Sequence, residues 1–146
     1  MTEDRLINTA KLDPAPAERF NRLRPDLAVR SFGINQIVLA PGQRNRIHRH
    51  TRQEEVYLVL DGTLTLMVEG EPHVYASGEL VRVAPSVRRQ IVNRHSMPLS
   101  LLALGGFVDH EHEPRDGEVF SSWDASEPGA LAAVPQPDDL PATDLA

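Results

Sequence analysis

The chain has 146 residues, 40% of them hydrophobic and 25% charged, values ordinary for one globular domain and short for two. Its formal net charge of -6 argues against a basic face for nucleic-acid phosphates, and the absence of cysteine excludes disulfides and thiolate ligands. Any bound metal must therefore be held by imidazole and carboxylate. The opening "MTEDRLINTAKLD" has no basic region followed by an apolar run, and the longest apolar run, "LLALGGFV" (101–108), is far too short to span a bilayer. Neither secretion nor a membrane partner is expected, and a cytoplasmic location is the default.

In chain order, residues 1–27 are polar and mixed. Within them "DPAPAERFNRLRP" predicts one short helix, capped by Asp13, with Pro14 and Pro16 in its first turn and Pro25 at its end. Phe20 and Leu23 are three apart and can dock on a core. From 28 to 108 the texture changes to short apolar runs separated by turn signals. "SFGINQIVLA" stops at Pro41-Gly42, "EVYLVL" at Asp61-Gly62 and "TLTLMV" at Glu69-Gly70. "HVYAS" stops at Gly78 and "LVRVA" at Pro85; "QIVN" and "LSLLAL" follow. Asp-Gly between apolar runs is a hairpin signal, because both residues tolerate positive φ. Strands at this spacing predict an all-β protein, an antiparallel sandwich or barrel. "EVYLVL" is apolar on both faces, so each face needs a cover: the interior on one side, a second sheet or a partner subunit on the other. Residues 109–127 read as a loop, with Phe120 and Trp123 folding part of it back onto the barrel. Residues 128–146 are rich in Pro, Ala and acid and are expected to form a mobile tail.

The chemistry concentrates in "HRHTRQEE" (48–55). His48 and His50 share one face of a strand, because the side-chain period is two. Glu55 would fall on the opposite face of a continuous strand, so the polar "TRQE" (51–54) must bend. Glu55 then opens the next strand facing His50, its face continues through Tyr57 and Val59, and Glu54 points the other way. Two neutral imidazoles and one carboxylate suit divalent iron, manganese, zinc, nickel or copper.

The stretch "GQRNRIHRHTRQEEVYLVLDG" resembles the first motif of the cupins: Gly, five residues, His-x-His, three or four residues, Glu, six residues, Gly. Gly42, His48, His50, Glu55 and Gly62 fall on its anchors, and Gly62 selects Glu55 over Glu54. The resemblance, which with a second motif covers residues 29 to 105, implies a double-stranded β-helix, the jelly-roll barrel. It also implies a site in the barrel mouth and, as in many relatives, a homodimer. The second motif (Gly, five, Pro, one, Gly, two, His, three, Asn) lies over "GELVRVAPSVRRQIVN" with departures: Ala84 for the proline, Ser86 for the second glycine, and Arg89 for the fourth ligand, a histidine. Arginine keeps its proton and has no lone pair to give, so three ligands remain: His48, His50 and Glu55. Arg89, Ile91 and Asn93 alternate on one face and should point inward. Arg89 can bind the carboxylate or phosphate of a substrate, pair with Glu55 in place of a metal, or turn its head to solvent.

Other candidates are weaker. Gln90, His73 and His95 are poor replacements for the fourth ligand. "DHEHEP" (109–114) carries a second His-x-His but reads as a solvated loop. Gly105-Gly106 reads as a bend. The arginines at 44, 46, 49, 52, 82, 88 and 89 give the strand region a positive character, and those near the mouth would attract anionic small molecules. Tyr57 is either a pocket hydroxyl or core.

These readings predict a single-domain cupin that holds a divalent metal through His48, His50 and Glu55. It would bind a small anionic organic molecule, with Arg89, Tyr57 and Asn93 as substrate-binding candidates. As an enzyme it would be a dioxygenase, isomerase or decarboxylase. The alternative is a metal-free binding or sensor module in which Arg89 pairs with Glu55.

Overall fold

The computed structural model describes residues 6–107 and 116–146, so the His-x-His of "DHEHEP" lies outside the described residues. Ten described strands form two five-stranded antiparallel sheets. The strands are β1 (Phe20–Arg22), β2 (Phe32–Leu39), β3 (Ile47–His50), β4 (Glu54–Asp61), β5 (Thr63–Val68), β6 (Glu71–Ala76), β7 (Leu80–Val83), β8 (Arg89–Val92), β9 (Leu99–Gly106) and β10 (Gly117–Phe120). One sheet runs β1-β2-β9-β4-β7 and the other β10-β3-β8-β5-β6. The facing sides enclose Ile37, Leu39, Tyr57, Val59, Leu99 and Leu101 from the first sheet and Leu64, Leu66 and Ile91 from the second. Burying each such aliphatic side chain contributes roughly 1.5–3 kcal/mol, which fixes the register of every strand that supplies one.

Two turns with similar sequences behave differently. Glu69-Gly70 closes the β5–β6 hairpin with both φ angles positive (50° and 85°), the conformation a two-residue hairpin turn needs. Asp61-Gly62 also looks like a hairpin turn in the sequence, but β4 and β5 belong to different sheets. It is a corner between the sheets. Gly62 has φ +81°, and a Cβ there would lie 2.3 Å from the carbonyl oxygen of Pro98, so a side chain is excluded on two counts.

Both terminal regions depart from expectation. The single helix predicted across "DPAPAERFNRLRP" is replaced by a 3-10 turn (Ala17–Arg19), strand β1 and one turn of α-helix, α1 (Arg24–Leu27). Glu18 and Arg19 have positive φ (57° and 68°), which breaks a helical path. The next three residues instead satisfy their backbone at the edge of β2, with Phe20 opposite Ile37. Leu23 is buried as expected, whereas Phe20 is 44% exposed.

The segment 128–146, expected to be mobile, follows a defined path over the barrel instead. Gly129 N–H donates to Val119, Leu140 N–H to Gly42 and Ala146 N–H to Arg94. Val134 is buried, and the Nε groups of Arg46 and Arg44 donate to the carbonyls of Val134 and Asp138. Composition cannot show this, because the partners are backbone groups and two distant arginines. No described helix is long and apolar enough to cross a membrane.

Candidate metal centre in the barrel mouth

His48 and His50 project from β3 and Glu55 from β4, across the loop Thr51–Gln53. That loop is held by a residue the sequence reading passed over. The Asp116 carboxylate, just before β10, accepts from the Thr51 hydroxyl, from Arg52 N–H (3.0 Å) and from Gln53 N–H (2.9 Å). Its carbonyl also accepts from Thr51 N–H at 3.1 Å. Burial would raise the Asp116 pKa, but these donors outweigh it and hold the carboxyl below its ordinary value. The bend that puts Glu55 opposite His50 is therefore fixed from outside the motif.

The three predicted ligands come together: one donor atom from each of His48, His50 and Glu55 lies within 4.8 Å of the others. His48 Nδ1 sits 2.9 Å from the Arg46 carbonyl, so it carries the ring proton and Nε2 keeps its lone pair. Burial, with the Arg89 charge adding to it, lowers the His48 pKa to about 4, so the ring is neutral at pH 7. Glu55 is pulled the other way. Burial alone would raise its pKa, but the hydrogen bond from His50, with the Arg89 charge behind it, holds it well below the ordinary carboxylate range.

His50 is set by Gln53. The Gln53 Nε2 amide lies 2.8 Å from His50 Nδ1. An amide N–H only donates, so Nδ1 accepts and the ring proton sits on Nε2, which is 3.5 Å from Glu55 Oε2. That proton occupies the place a cation would take. Turning the amide over presents its oxygen to Nδ1 and frees Nε2. Gly105 makes room for this amide, since a Cβ there would come within 2.2 Å of Gln53 Oε1. The Gly105-Gly106 pair read as a bend is thus part of strand β9, with Gly105 opposite Glu55.

Arg89 settles among its three alternatives. It faces inward and its side chain is 0% exposed. Nη2 donates to Glu55 Oε1 at 2.9 Å, Nη1 to the Val87 carbonyl at 2.9 Å, and Nε to the Tyr57 hydroxyl at 3.3 Å. Tyr57 donates its hydroxyl to the same Glu55 oxygen, and burial followed by the Glu55 charge pushes its pKa well above the ordinary value. Arg89 is not among the residues that line the cavity, and its guanidinium pairs with Glu55. Tyr57 does line it. Asn93 does not. It is fully buried away from the site, with Nδ2 donating to Leu39 and Met97 carbonyls and Oδ1 accepting from His95 N–H. Its polar atoms are spent on closing the 93–97 turn.

Of the weaker candidates, Gln90 turns away and donates to the Asn45 carbonyl, while His73 is exposed on β6. Ser86 keeps a φ of 70°, the left-handed conformation of the glycine it replaces.

The cupin domain model matches residues 35–105. Over those residues the chain is a cupin. A cupin protein from Bacteroides fragilis superposes with a TM-score of 0.66 at 21% identity, covering 75% of this cupin and 92% of that chain. A putative sugar phosphate isomerase from Acidithiobacillus ferrooxidans gives a TM-score of 0.55 at 28% identity, over 63% of this chain and 60% of that one. An uncharacterized protein of Methanocaldococcus jannaschii is 23% identical over 87 residues, 60% of this chain and 67% of the relative.

The donor set fits a divalent transition metal. A metal with bonds of about 2.1 Å spaces its ligand atoms by at most about 4.2 Å, so the three side chains would draw together by several tenths of an ångström. His48 Nε2, His50 Nε2 and Glu55 Oε2 would hold it. Glu55 Oε1 would stay with Arg89 and Tyr57 as the orienting partners that a ligating carboxylate needs.

Proposed function

We propose that this cupin binds a small anionic organic molecule in its barrel mouth, over a divalent transition metal held by His48, His50 and Glu55. The observation that carries this reading is the convergence of the three donor atoms within 4.8 Å at a cavity of about 500 Å³. When bound, the metal would polarise a ligand oxygen and stabilise enolate-like charge, which suits isomerisation, decarboxylation or dioxygenation of a small acid. Charge balance supports an anionic ligand. Arg89 cancels the charge of Glu55, and both histidines are ligands only when neutral, so an arriving dication meets no net negative charge until an anion joins it. The likeness to the putative sugar phosphate isomerase supports the same class.

The test is elemental analysis of protein purified without chelator, where about one divalent ion per chain is expected and His48→Ala should lose it. Metal-free protein, with stability and activity unchanged in His48→Ala, would sink the reading.

The buried Arg89–Glu55 pair favours a second reading, a metal-free binding or sensor module. There Arg89→His would supply the missing imidazole and create metal binding that the wild type lacks. If that substitution leaves metal affinity unchanged, Arg89 is not standing in for a ligand.

We also propose a homodimer. The outer face of the first sheet presents partly exposed Val56, Leu58, Leu102 and Leu104, with Leu80 62% exposed beside Leu58. A second copy would cover this face. Light scattering at micromolar concentration should give twice the 16.2 kDa chain mass, and Leu58→Lys should halve it.

A further inference from the structure

Three arginines stand around the same cavity without any part in the metal centre. Arg19 comes from the turn before β1, and Arg44 and Arg46 from the segment leading into β3; all three line the cavity with His48, His50 and Glu55. Against them the lining has two acids, Glu18 and Glu55, and Glu55 is already neutralised by Arg89. In a chain of net charge -6 this is a local concentration of positive charge at a concave surface, where field lines converge on an entering anion.

The guanidinium groups are held but not consumed. Arg44 and Arg46 donate Nε to the carbonyls of Asp138 (3.1 Å) and Val134 (2.6 Å). Those bonds fix each guanidinium plane, and among the described residues no partner takes the terminal nitrogens. Arg19 Nη1 is buried with no hydrogen-bond partner. Its Nη2 is 4.0 Å from Asp139 Oδ1, too far for a hydrogen bond. The side chain is 29% exposed, and a cationic donor without an acceptor calls for one; the positive φ of Glu18 and Arg19 shows backbone strain where Arg19 reaches the cavity.

We propose that Arg19, Arg44 and Arg46 form an anion-binding rim. The rim takes the phosphate or carboxylate end of an elongated small molecule whose other end reaches His48, His50 and Glu55. This deepens the proposed function and rests on its anionic ligand, with the anion held by the rim and Arg89 left to Glu55. A planar guanidinium suits both oxyanions, and a cavity of about 500 Å³ is large enough to separate the two ends of one ligand. Asp139, 4.0 Å from Arg19 Nη2, competes with that ligand.

The test is a titration of the full-length protein at low ionic strength with inorganic phosphate and, separately, with malonate. Each of Arg19→Gln, Arg44→Gln and Arg46→Gln should weaken binding of the preferred anion by roughly tenfold. Asp139→Asn, which disturbs the tail without removing an arginine, should tighten it a few-fold. Preference for phosphate assigns a phosphate ester, and preference for malonate a carboxylate. Arginine variants that bind like the wild type, or a wild type that binds neither anion at millimolar concentration, would overturn the rim. Metal content measured on the same samples separates the two ideas. Arginine-dependent anion binding without metal keeps the rim and removes the metal centre; metal without anion binding does the reverse.

Discussion

The two faces of strand β4 carry the same ion pair in two environments. Glu54 points outward and accepts from Arg82 Nε at 2.6 Å, with side chains 56% and 40% exposed for arginine and glutamate. Glu55 points inward and pairs with Arg89 at 2.9 Å, with exposures of 0% and 11%. Water solvates both partners of the outer pair whether or not they meet. The inner pair has given up that solvation, so each partner depends on the other and on Tyr57, His50 and the Val87 carbonyl. Neighbouring glutamates in one sequence thus differ entirely in what their loss would cost.

The largest expected effect breaks the inner pair. Arg89→Ala should destabilise the protein by about 3–5 kcal/mol in urea unfolding at pH 7, because it strands a buried carboxylate. Adding Glu55→Gln should recover part of that loss; strict additivity would mean that the two side chains are not coupled.

Acid comes next. In the metal-stripped protein His48 titrates at about 4 against 6.5 unfolded, so the unfolded chain takes up the proton first and acid favours unfolding. Stability should therefore fall by about 3 kcal/mol as pH drops from 6.5 toward 4. Glu55, whose pKa is depressed by folding, adds to the loss below its unfolded value of 4.5. His48→Gln should flatten the upper part of this profile; an unchanged profile would show that His48 is not buried neutral.

Asp116→Ala removes the acceptor that holds the loop between β3 and β4 and should cost about 2 kcal/mol in thermal unfolding. It should also weaken any metal binding, because the loop sets Glu55 opposite His50. Smallest of all, Arg82→Ala on the outer face should cost less than about 1 kcal/mol and fade with salt. A cost comparable to that of Arg89→Ala would refute burial as the cause of the difference.

Much of this was legible before the structure. "TLTLMV" maps onto β5, "EVYLVL" onto the centre of β4 and "LSLLAL" onto the first six residues of β9, because strands that bury a face must alternate or be apolar throughout. The inward turn of Glu55 and the outward turn of Glu54 followed from strand period and the polar bend. Other features were not legible. Asp116 acts on Arg52 from 64 positions away, and nothing local marks it. The N-terminal stretch has helical punctuation but joins a sheet edge, since β2 offered it hydrogen bonds that an isolated short helix lacks. The tail has the composition of disorder, yet carbonyls and arginines elsewhere tie it down.

The sequence by itself determined the strand pattern and the convergence of His48, His50 and Glu55, through side-chain period and the polar bend between two strands, and the cupin resemblance marked Arg89 as the departure from a fourth ligand. Only the tertiary structure decided that Arg89 turns to Glu55, that Asn93 serves a turn, and that Arg19, Arg44 and Arg46 meet at one mouth. Those outcomes depend on which charges remain after distant segments pack, and a buried charge takes whichever partner the fold brings within reach.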